Sequence, residues 1–294
     1  MPVFTPIFRF LGKQFTSDPE WIRNEKSMKS LKKLPCVISG VQVLAILLLP
    51  GTVLATERYG NPSPALPPHS FVYGKTLQEW SALWWKWIWS FPVNDNPDRD
   101  LDPNKTGDKT KFGDVGPVFF LGGWLGEPPS GPISRTVKIP ANKYIFFGIE
   151  TASNENVARG CTDPGKKCAK RVTIDELYAE LDPLIRSYVT SLHASIDGIP
   201  VPNLWQHREI SPVFSYVLQL TDNLYEIVNG VTTPDAIGTI FPVVADGYYL
   251  MLRPLSIGRH TINFGGTLNG SSIDVTYEVT VTPNASFTPT VLVP

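Results

Sequence analysis

Apolar residues recur every three or four positions between Thr76 and Ser90, and five of them are tryptophans. This spacing is typical of a helix. Thr76 and Glu79 have the spacing of a capping box, which satisfies free N–H groups where a helix begins. Pro92 ends the pattern, because the residue before a proline avoids the helical conformation. The segment therefore predicts a tryptophan-rich helix near the start of the folded domain.

A second helical pattern runs from Thr173 to Leu192 and is apolar on one face and charged on the other. Thr173 and Glu176 repeat the spacing of a capping box. Pro183 lies inside the pattern and has no N–H to donate, so we expect it to weaken or kink the helix. The segment predicts an amphipathic helix whose apolar face packs on the rest of the domain.

Most of the remaining pattern is typical of short strands. Runs of β-branched and aromatic residues are bounded by glycine, proline and asparagine. They cover residues 117–121, 133–139, 144–149, 212–220, 247–255, 260–268 and 272–281. Asp197-Gly198 and Asn269-Gly270 are two-residue turns that favour hairpins. These features predict a mainly β fold of the α+β class, an antiparallel β-sandwich-like domain with both helices packed on it.

The segment 28–55 has the pattern of an export signal. Three lysines follow Met28, and an apolar run from Val37 to Leu49 leads to a small-residue cleavage site at Ala55. The apolar run is shorter than the roughly 20 residues that cross a bilayer. We therefore predict cleavage after Ala55 and a periplasmic or extracellular protein, with an uncleaved N-terminal anchor as the alternative.

The export signal divides the chain into segments. Residues 1–27 precede it and are interpreted as an over-extended start, which means that translation begins at Met28. The alternative is that they form a long, natural n-region, the charged first part of the signal. The proline-rich residues 56–72 predict an extended leader, residues 73–283 a single β-rich domain, and residues 284–294 a C-terminal tail.

Composition excludes several classes of protein. The 294 residues carry 26 basic and 27 acidic side chains, and 18% of residues are charged. Without residues 1–55, which hold seven basic and three acidic residues, 19 basic and 24 acidic residues remain, a net charge of −5. An acidic chain disfavours nucleic acid as a partner. After signal cleavage no stable membrane insertion is expected.

Two cysteines remain after signal cleavage, and they bracket a short turn-forming stretch. Cys161 and Cys168 enclose Thr-Asp-Pro-Gly-Lys-Lys, which brings the ends of the segment together. In an oxidising compartment this predicts a Cys161–Cys168 disulfide. Free or redox-active thiols are the alternative.

The tryptophans of the first predicted helix allow two interpretations. A helix that is aromatic nearly all round is usually buried. Exposed aromatic faces in a secreted protein instead suggest a platform that stacks on a sugar, and Trp85 and Trp89 are the candidate ligand-binding residues. Core packing is the preferred interpretation.

An aspartate-rich loop, residues 92–116, offers a possible metal site. Asp98, Asp100 and Asp102 alternate as in a calcium-binding loop. The match fails in detail, because Pro103 stands where the turn glycine belongs. A solvated loop is preferred, with calcium as the alternative; no other cofactor is predicted.

Several short motifs stand out along the chain, among them Tyr73-Gly74-Lys75-Thr76, the tryptophans of the first helix, Asp246-Gly247-Tyr248-Tyr249 and the segment 254–262. Together they resemble a family of bacterial exported proteins of unassigned function. The similarity spans about residues 71–281. The resemblance implies export and a shared fold; it implies no activity, substrate or catalytic residue.

No standard catalytic motif is present, so the candidate catalytic residues are isolated polar ones. They are Glu150, Glu155, His207, Asp246 and His260. Paired carboxylates such as Glu150 and Glu155 would permit glycoside hydrolysis if their separation were suitable. The preferred hypothesis is an exported, non-catalytic binding or structural protein whose ligand is a small molecule or glycan. The alternative is a secreted carbohydrate-active enzyme.

Overall fold

A computed structural model describes residues 63–101, 109–155, 173–218, 224, 228 and 238–283. The predicted signal segment 28–55 and tail 284–294 lie outside these residues. So do both cysteines of the predicted disulfide, Cys161 and Cys168, and one aspartate of the polar loop, Asp102. What the sequence predicts for these segments stays a prediction.

The described part of the chain is mainly β with two α-helices, which confirms the predicted fold class. The strands are β1 (Phe71–Val72), β2 (Lys75–Thr76), β3 (Asp114–Val115), β4 (Val118–Phe120), β5 (Ile133–Pro140), β6 (Tyr144–Glu155), β7 (Val189–Ile196), β8 (Ile199–Pro200), β9 (Arg208–Ile210), β10 (Phe214–Leu218), β11 (Gly238–Leu252), β12 (Gly258–Leu268) and β13 (Ser271–Thr282). The helices are α1 (Leu77–Trp89) and α2 (Ile174–Tyr188).

The strands form two main sheets and a small hairpin. The first sheet has the order β10-β11-β6-β4-β3, with β9 also paired to β11, and the second has the order β5-β13-β12-β7-β8. Strands β1 and β2 pair only with each other. Most neighbours are antiparallel, but β4 runs parallel to β6 and β5 runs parallel to β13.

The two sheets pack face to face, and alternate residues of their strands fill the space between them. Phe147 of β6 stacks on Phe264 of β12 with 4.4 Å between ring centroids. Helix α2 adds Leu177, Leu181 and Ile185 to the same core. We call this layer the sandwich interior.

The tryptophan-rich helix α1 covers the opposite face of the first sheet, and all five of its tryptophans are buried. The predicted capping box of Thr76 and Glu79 is present. The Trp84 Nε1–H donates to the Leu121 carbonyl at 2.9 Å, which gives this buried indole a polar partner. Neither helix of the described residues combines the length and apolar character needed to cross a bilayer.

Helix α2 is shorter than predicted. The pattern predicted helix to Leu192, but the helix ends at Tyr188 and β7 begins at Val189. Val189 and Thr190 are β-branched and favour strand geometry, and β7 pairs with β12. Pairing with a neighbouring strand therefore overrides the helical periodicity in these last residues.

Strands β6 and β11 are longer than the predicted strands 144–149 and 247–255. They pair from Val243 opposite Glu155 to Leu252 opposite Ile145, with one bulge along the way. Both strands are covered on both faces, by α1 on one side and by the sandwich interior on the other. A strand covered on both faces has no simple alternation of polar and apolar residues, so its ends are hard to locate from sequence.

Candidate functional site

Glu150 and Glu155, the predicted carboxylate pair, point to opposite faces of the first sheet. Residues that are directly opposite on neighbouring strands share a face. Glu155 lies opposite Val243, which packs against α1, and Glu150 lies opposite Tyr248, which packs in the sandwich interior. The predicted pairing is therefore corrected, because the two carboxylates do not converge on one ligand.

A bulge in β6 turns Glu150 toward the sandwich interior. Tyr248 pairs with Glu150 whereas Tyr249 pairs with Gly148, so Ile149 is the extra residue. Bulges commonly change the direction of the side chains that follow them. Strand β4 lies beside the first residues of β6 only, and it ends at Phe120. The edge of β6 at the bulge therefore has no β4 partner.

A cavity of about 30 Å³ lies at this open edge of β6. Trp84, Trp85 and Trp124 contribute aromatic walls, and Asp98 and Glu150 are the charged residues that line it. A cavity needs about 10–15 Å³ of such space to hold one water molecule. The cavity therefore accommodates one or two water molecules, and a sugar ring does not fit inside it.

Asp98 reaches the cavity because the polar loop folds back onto the end of α1. The Asn96 side chain donates to the Ile88 carbonyl at 2.8 Å and accepts the Asp98 N–H at 2.9 Å. Asp98 is only 1% exposed. Burial raises the pKa of Asp98 to about 7, although nearby Arg135 and Arg99 act to lower it.

The described part of the aspartate-rich loop is not uniformly solvated, because Asp98 and Asp100 are both buried. The buried Arg135 donates its Nε–H to the Asp100 carbonyl at 3.0 Å. Within the described ranges, no three acidic, histidine or cysteine side chains are placed to hold a metal ion. Asp102 lies outside these ranges, so a calcium site formed by Asp98, Asp100 and Asp102 stays a prediction.

Glu150 is 6% exposed. Burial raises its pKa to about 8, and no other cause contributes. Neither Glu150 Oε1 nor Asp98 Oδ1 has a hydrogen-bond partner among the described residues. Both oxygens are enclosed by protein: Asp98 Oδ1 packs beside Gly122, and Glu150 Oε1 packs beside Gly266.

An open groove of about 460 Å³ lies where the first residues of β6 meet the β1–β2 hairpin. It is lined by Phe71, Tyr73, Tyr144 and Arg253, among others. Phe71 is 68% exposed and Tyr73 is 59% exposed. The rings of Tyr73 and Tyr144 meet edge to face, with centroids 5.6 Å apart. We call this surface the aromatic groove.

Residues of the predicted leader anchor the aromatic groove to the first sheet. The Leu66 N–H donates to the Met251 carbonyl at 2.7 Å, and the Arg253 N–H donates to the Pro64 carbonyl at 2.8 Å. Ala65 forms a bridge with Leu252. The segment 63–66 therefore packs on the domain and fixes the entry to the hairpin.

Tyr73 occupies an unusual backbone position. Tyr73 and Gly74 form the two-residue loop between β1 and β2, with φ angles of +48° and +75°. Turns with two positive φ angles favour Asn-Gly, because a side chain other than Asn or Asp is strained there. A tyrosine in this position is more consistent with a role for its exposed ring than with turn stability.

His69 lies beside the groove and is held by a buried carboxylate. The His69 N–H donates to Glu209 at 3.0 Å, and His69 Nδ1 lies 3.2 Å from the other Glu209 oxygen. His207, one of the predicted catalytic residues, is buried nearby. Burial and the neighbouring His69 lower the pKa of His207, which favours its neutral form.

His260 has the contacts of a catalytic triad but not its chemistry. Its Nδ1 lies 2.8 Å from Asp197, and its Nε2 lies 3.3 Å from Ser256 Oγ. The same Nε2 also lies 2.8 Å from the Ser256 carbonyl, which only accepts. The ring must therefore donate from Nε2, and a donating nitrogen cannot remove a proton from the serine.

Hydrogen bonds to both ring nitrogens favour the protonated form of His260. Burial acts to lower the pKa of His260, but its contacts with Asp197 and the Ser256 carbonyl outweigh this and raise it. We interpret His260 as a structural clamp between the Asp197 turn and the start of β12.

Asp246 belongs to an ion-pair network. Arg208 donates to Asp246 at 2.9 Å and to Asp182 of α2 at 2.9 Å. Burial raises the pKa of Asp246, while Arg208 opposes the rise. The network joins α2 to the first sheet, and Asp246 does not line the cavity or the aromatic groove.

Trp85 and Trp89, the candidate ligand-binding residues, are buried in the core. The Trp85 ring stacks on Trp89, and Trp89 stacks on Tyr216, with centroids 6.2 Å and 5.2 Å apart. Both faces of the Trp89 ring are therefore covered by protein. A sugar platform on these two side chains is excluded in this structure.

No family model, curated protein or solved structure matches this chain. The resemblance to exported bacterial proteins therefore stays a prediction. Any functional conclusion depends on the geometry of the cavity and of the aromatic groove.

Sequence reasoning missed that Asp98 and Glu150 line one cavity and that Tyr73 lies exposed in a two-residue turn. No local pattern brings residues 98 and 150 to the same cavity, because the bulge in β6 decides where Glu150 points. Tyr73 did carry a signal, since a tyrosine precedes a glycine at a two-residue turn that usually contains asparagine.

Proposed function

We propose that the protein is an exported β-sandwich binding protein and that its ligand is a short glycan held in the aromatic groove. The export part of the proposal comes from the signal-like segment 28–55. The binding part is carried by one observation, the exposed rings of Phe71 and Tyr73 in a groove of about 460 Å³. This volume lies within the roughly 300–1,000 Å³ of typical ligand sites.

The chemistry of the groove fits a sugar. The C–H-rich face of a pyranose packs on an aromatic ring, while its hydroxyl groups need hydrogen-bond donors and acceptors. Tyr73 and Phe71 supply rings, and the exposed Arg253 supplies guanidinium donors. The accessible wall of the groove is more polar than apolar, which suits a ligand that carries many hydroxyl groups.

The turn at Tyr73 allows binding to be separated from stability. Tyr73→Asn removes the ring and places a favourable residue at a positive φ angle. We expect the variant to be at least as stable as the wild type and to bind a glycan at least tenfold more weakly, about 1.4 kcal/mol. Short glycans would be screened by thermal shift, and affinities measured by titration calorimetry on the full chain.

Tyr188→Asn is the matched control. Tyr188 is an exposed tyrosine at the end of α2, outside the groove. We expect it to leave glycan affinity unchanged. The proposal fails if no glycan raises the melting temperature, or if Tyr73→Asn binds as tightly as the wild type.

A further inference from the structure

We infer that the ligand of the aromatic groove is an acidic glycan, whose anionic group pairs with the guanidinium of Arg253. The inference rests on the proposed function, because it names the class of glycan that the groove takes. Arg253 is exposed, and it is the one charged side chain among the described residues that line the groove. Within the described ranges this side chain has neither an acidic partner nor a hydrogen-bond acceptor.

The two lysines nearest to the groove along the chain already have acidic neighbours. Lys143, which precedes β6, places its ammonium group 2.6 Å from Asp114 Oδ1. Hydrogen bonds with Thr76 lower the pKa of Glu79, and the charge of nearby Lys75 adds to this effect. The arginine of the groove is therefore the cation that has no carboxylate beside it.

Arg253 comes directly after β11, and its backbone is held in place. Its N–H donates to the Pro64 carbonyl at 2.8 Å, and the bridge between Ala65 and Leu252 lies next to it. Pro254 follows, and the residue before a proline prefers an extended backbone. The side chain therefore starts from a fixed point, so less conformational freedom is lost when the guanidinium pairs with a ligand.

A guanidinium without a carboxylate partner favours an anion over a hydroxyl group. Its N–H donors form a planar fork that matches the oxygens of a carboxylate or a sulfate group. Hydrogen bonds between charged partners are roughly twice as strong as those between neutral ones. Because the groove is open to solvent, we expect the preference for an anionic ligand to be about fivefold, or about 1 kcal/mol.

The exposed rings and the arginine act on the same ligand in this arrangement. Phe71 and Tyr73 are exposed, and Arg253 lines the same groove. When one face of a pyranose packs on an aromatic ring, the equatorial substituents of the sugar point outward, away from that ring. The carboxylate of a uronic acid is such a substituent, and a sulfate ester is another. The ligand is therefore a sugar that carries an anionic substituent of either kind.

The charge of the whole chain makes the groove the place where an anion would bind. Residues 56–294 carry 19 basic and 24 acidic side chains, a net charge of −5. A chain with an excess of acidic groups repels anions in general. Affinity for an acidic glycan then depends on the local charge of the groove, and salt should weaken it by screening that charge.

The test compares ligands that differ only in charge, by titration calorimetry on the full chain. Trimers of galacturonic acid and of glucuronic acid are each paired with their methyl esters, and a sulfated galactose trimer is paired with its desulfated form. We expect the acidic member of at least one pair to bind about fivefold more tightly than its neutral partner. The preference should shrink at about 1 M salt. The carboxylate and sulfate pairs show which anion is recognised.

Arg253→Gln should remove the preference, since glutamine keeps a polar side chain but has no charge. The acidic trimer should bind about fivefold more weakly to this variant, and the neutral trimer as before. Arg259→Gln is the matched control and should change neither, because Arg259 is an exposed arginine of β12 outside the groove. Tyr73→Asn should weaken both members of a pair equally, since it removes a ring and no charge.

The outcomes separate this inference from the proposed function. Equal affinities within every pair, binding of neutral glycans alone, or a preference that survives in Arg253→Gln would overturn the inference and leave glycan binding intact. If Arg253→Gln does not fold, a wild-type preference that is the same at low and high salt overturns it. If no glycan of either kind binds, both fail. Binding only to vesicles of phosphatidylglycerol and phosphatidylcholine would also overturn both and assign the exposed rings to a membrane surface.

Discussion

The indole N–H of Trp85 donates a 2.8 Å hydrogen bond to the hydroxyl of Tyr249, and both side chains are buried. This bond ties α1 to the central strand β11 across 164 positions of sequence. The Tyr249 ring also stacks on Phe146 with 5.6 Å between centroids. Tyr249 therefore joins the tryptophan-rich helix to the first sheet, together with the contacts of Trp84 and Trp89.

Tyr249→Phe should destabilise the protein by about 1–3 kcal/mol, because it leaves the buried Trp85 N–H without a partner. The free energy of unfolding would be measured by urea denaturation. Trp85→Phe and the double variant complete a mutant cycle that isolates the coupling of the two side chains. Additive losses would show that the hydrogen bond contributes nothing of its own.

Trp84→Ala should cost about 3–5 kcal/mol, since it removes a large buried ring from the layer between α1 and the first sheet. Trp85→Ala should also destabilise, because α1 is buried around most of its surface. Lys86→Ala, an exposed position of the same helix, should stay within about 0.5 kcal/mol of the wild type. A Trp84→Ala variant that melts like the wild type would contradict the core assignment.

Stability should fall as the pH rises from about 4.5 to about 8 because of Glu150. Its pKa is raised from 4.5 to about 8 on folding, so the folded state binds the proton more tightly than the unfolded state. Stability is then highest below the unfolded pKa and is lost up to the folded pKa. Glu150→Gln should reduce this slope.

The Glu150→Gln variant should be more stable than the wild type at pH 9 by about 1–3 kcal/mol, since it removes a buried, unpaired charge. At pH 5 the difference should be small. Urea denaturation across this pH range tests both statements, with Glu155→Gln as the control. An unchanged pH slope in Glu150→Gln would rule out a shifted carboxyl at this position.

The His260 clamp should stabilise the fold most at mildly acidic pH. The pKa of His260 is raised, so its contribution is complete below its unfolded pKa and is lost as the pH rises through the folded pKa. His260→Gln should cost about 1 kcal/mol at pH 6 and less at pH 9. NMR titration of the ring would give the pKa directly.

The same clamp makes a prediction about reactivity. Because His260 Nε2 donates to the Ser256 carbonyl, Ser256 should not react with serine-directed fluorophosphonates, and Ser256→Ala should leave stability within about 0.5 kcal/mol. Labelling of Ser256 that disappears in His260→Gln would instead indicate a working triad.

Local sequence signals predicted the helices well because their causes are local. The capping boxes of Thr76 with Glu79 and Thr173 with Glu176 are both present. Where the sequence failed, the cause was tertiary. Val189 joins a strand because β12 is available to pair with it.

The candidate sites were harder to predict for the same reason. Asp98 lies in a stretch that is rich in aspartate and favours a solvated loop, yet the Asn96 side chain folds it back onto α1. Glu150 was predicted to pair with Glu155, but a single extra residue in β6 turns the two side chains to opposite faces of the sheet.

The stacked rings of Trp85, Trp89 and Tyr216 give the protein an optical property of its own. Their planes differ by 24° and 16°, with centroids about 6.2 Å and 5.2 Å apart. At such separations the ultraviolet transitions of neighbouring rings couple, and a fixed chiral arrangement produces a paired band in circular dichroism. Trp85 and Trp89 are both on α1 and Tyr216 is on β10, so the contribution of the Trp89–Tyr216 pair should vanish when the helix leaves the sheet, even if its backbone stays helical.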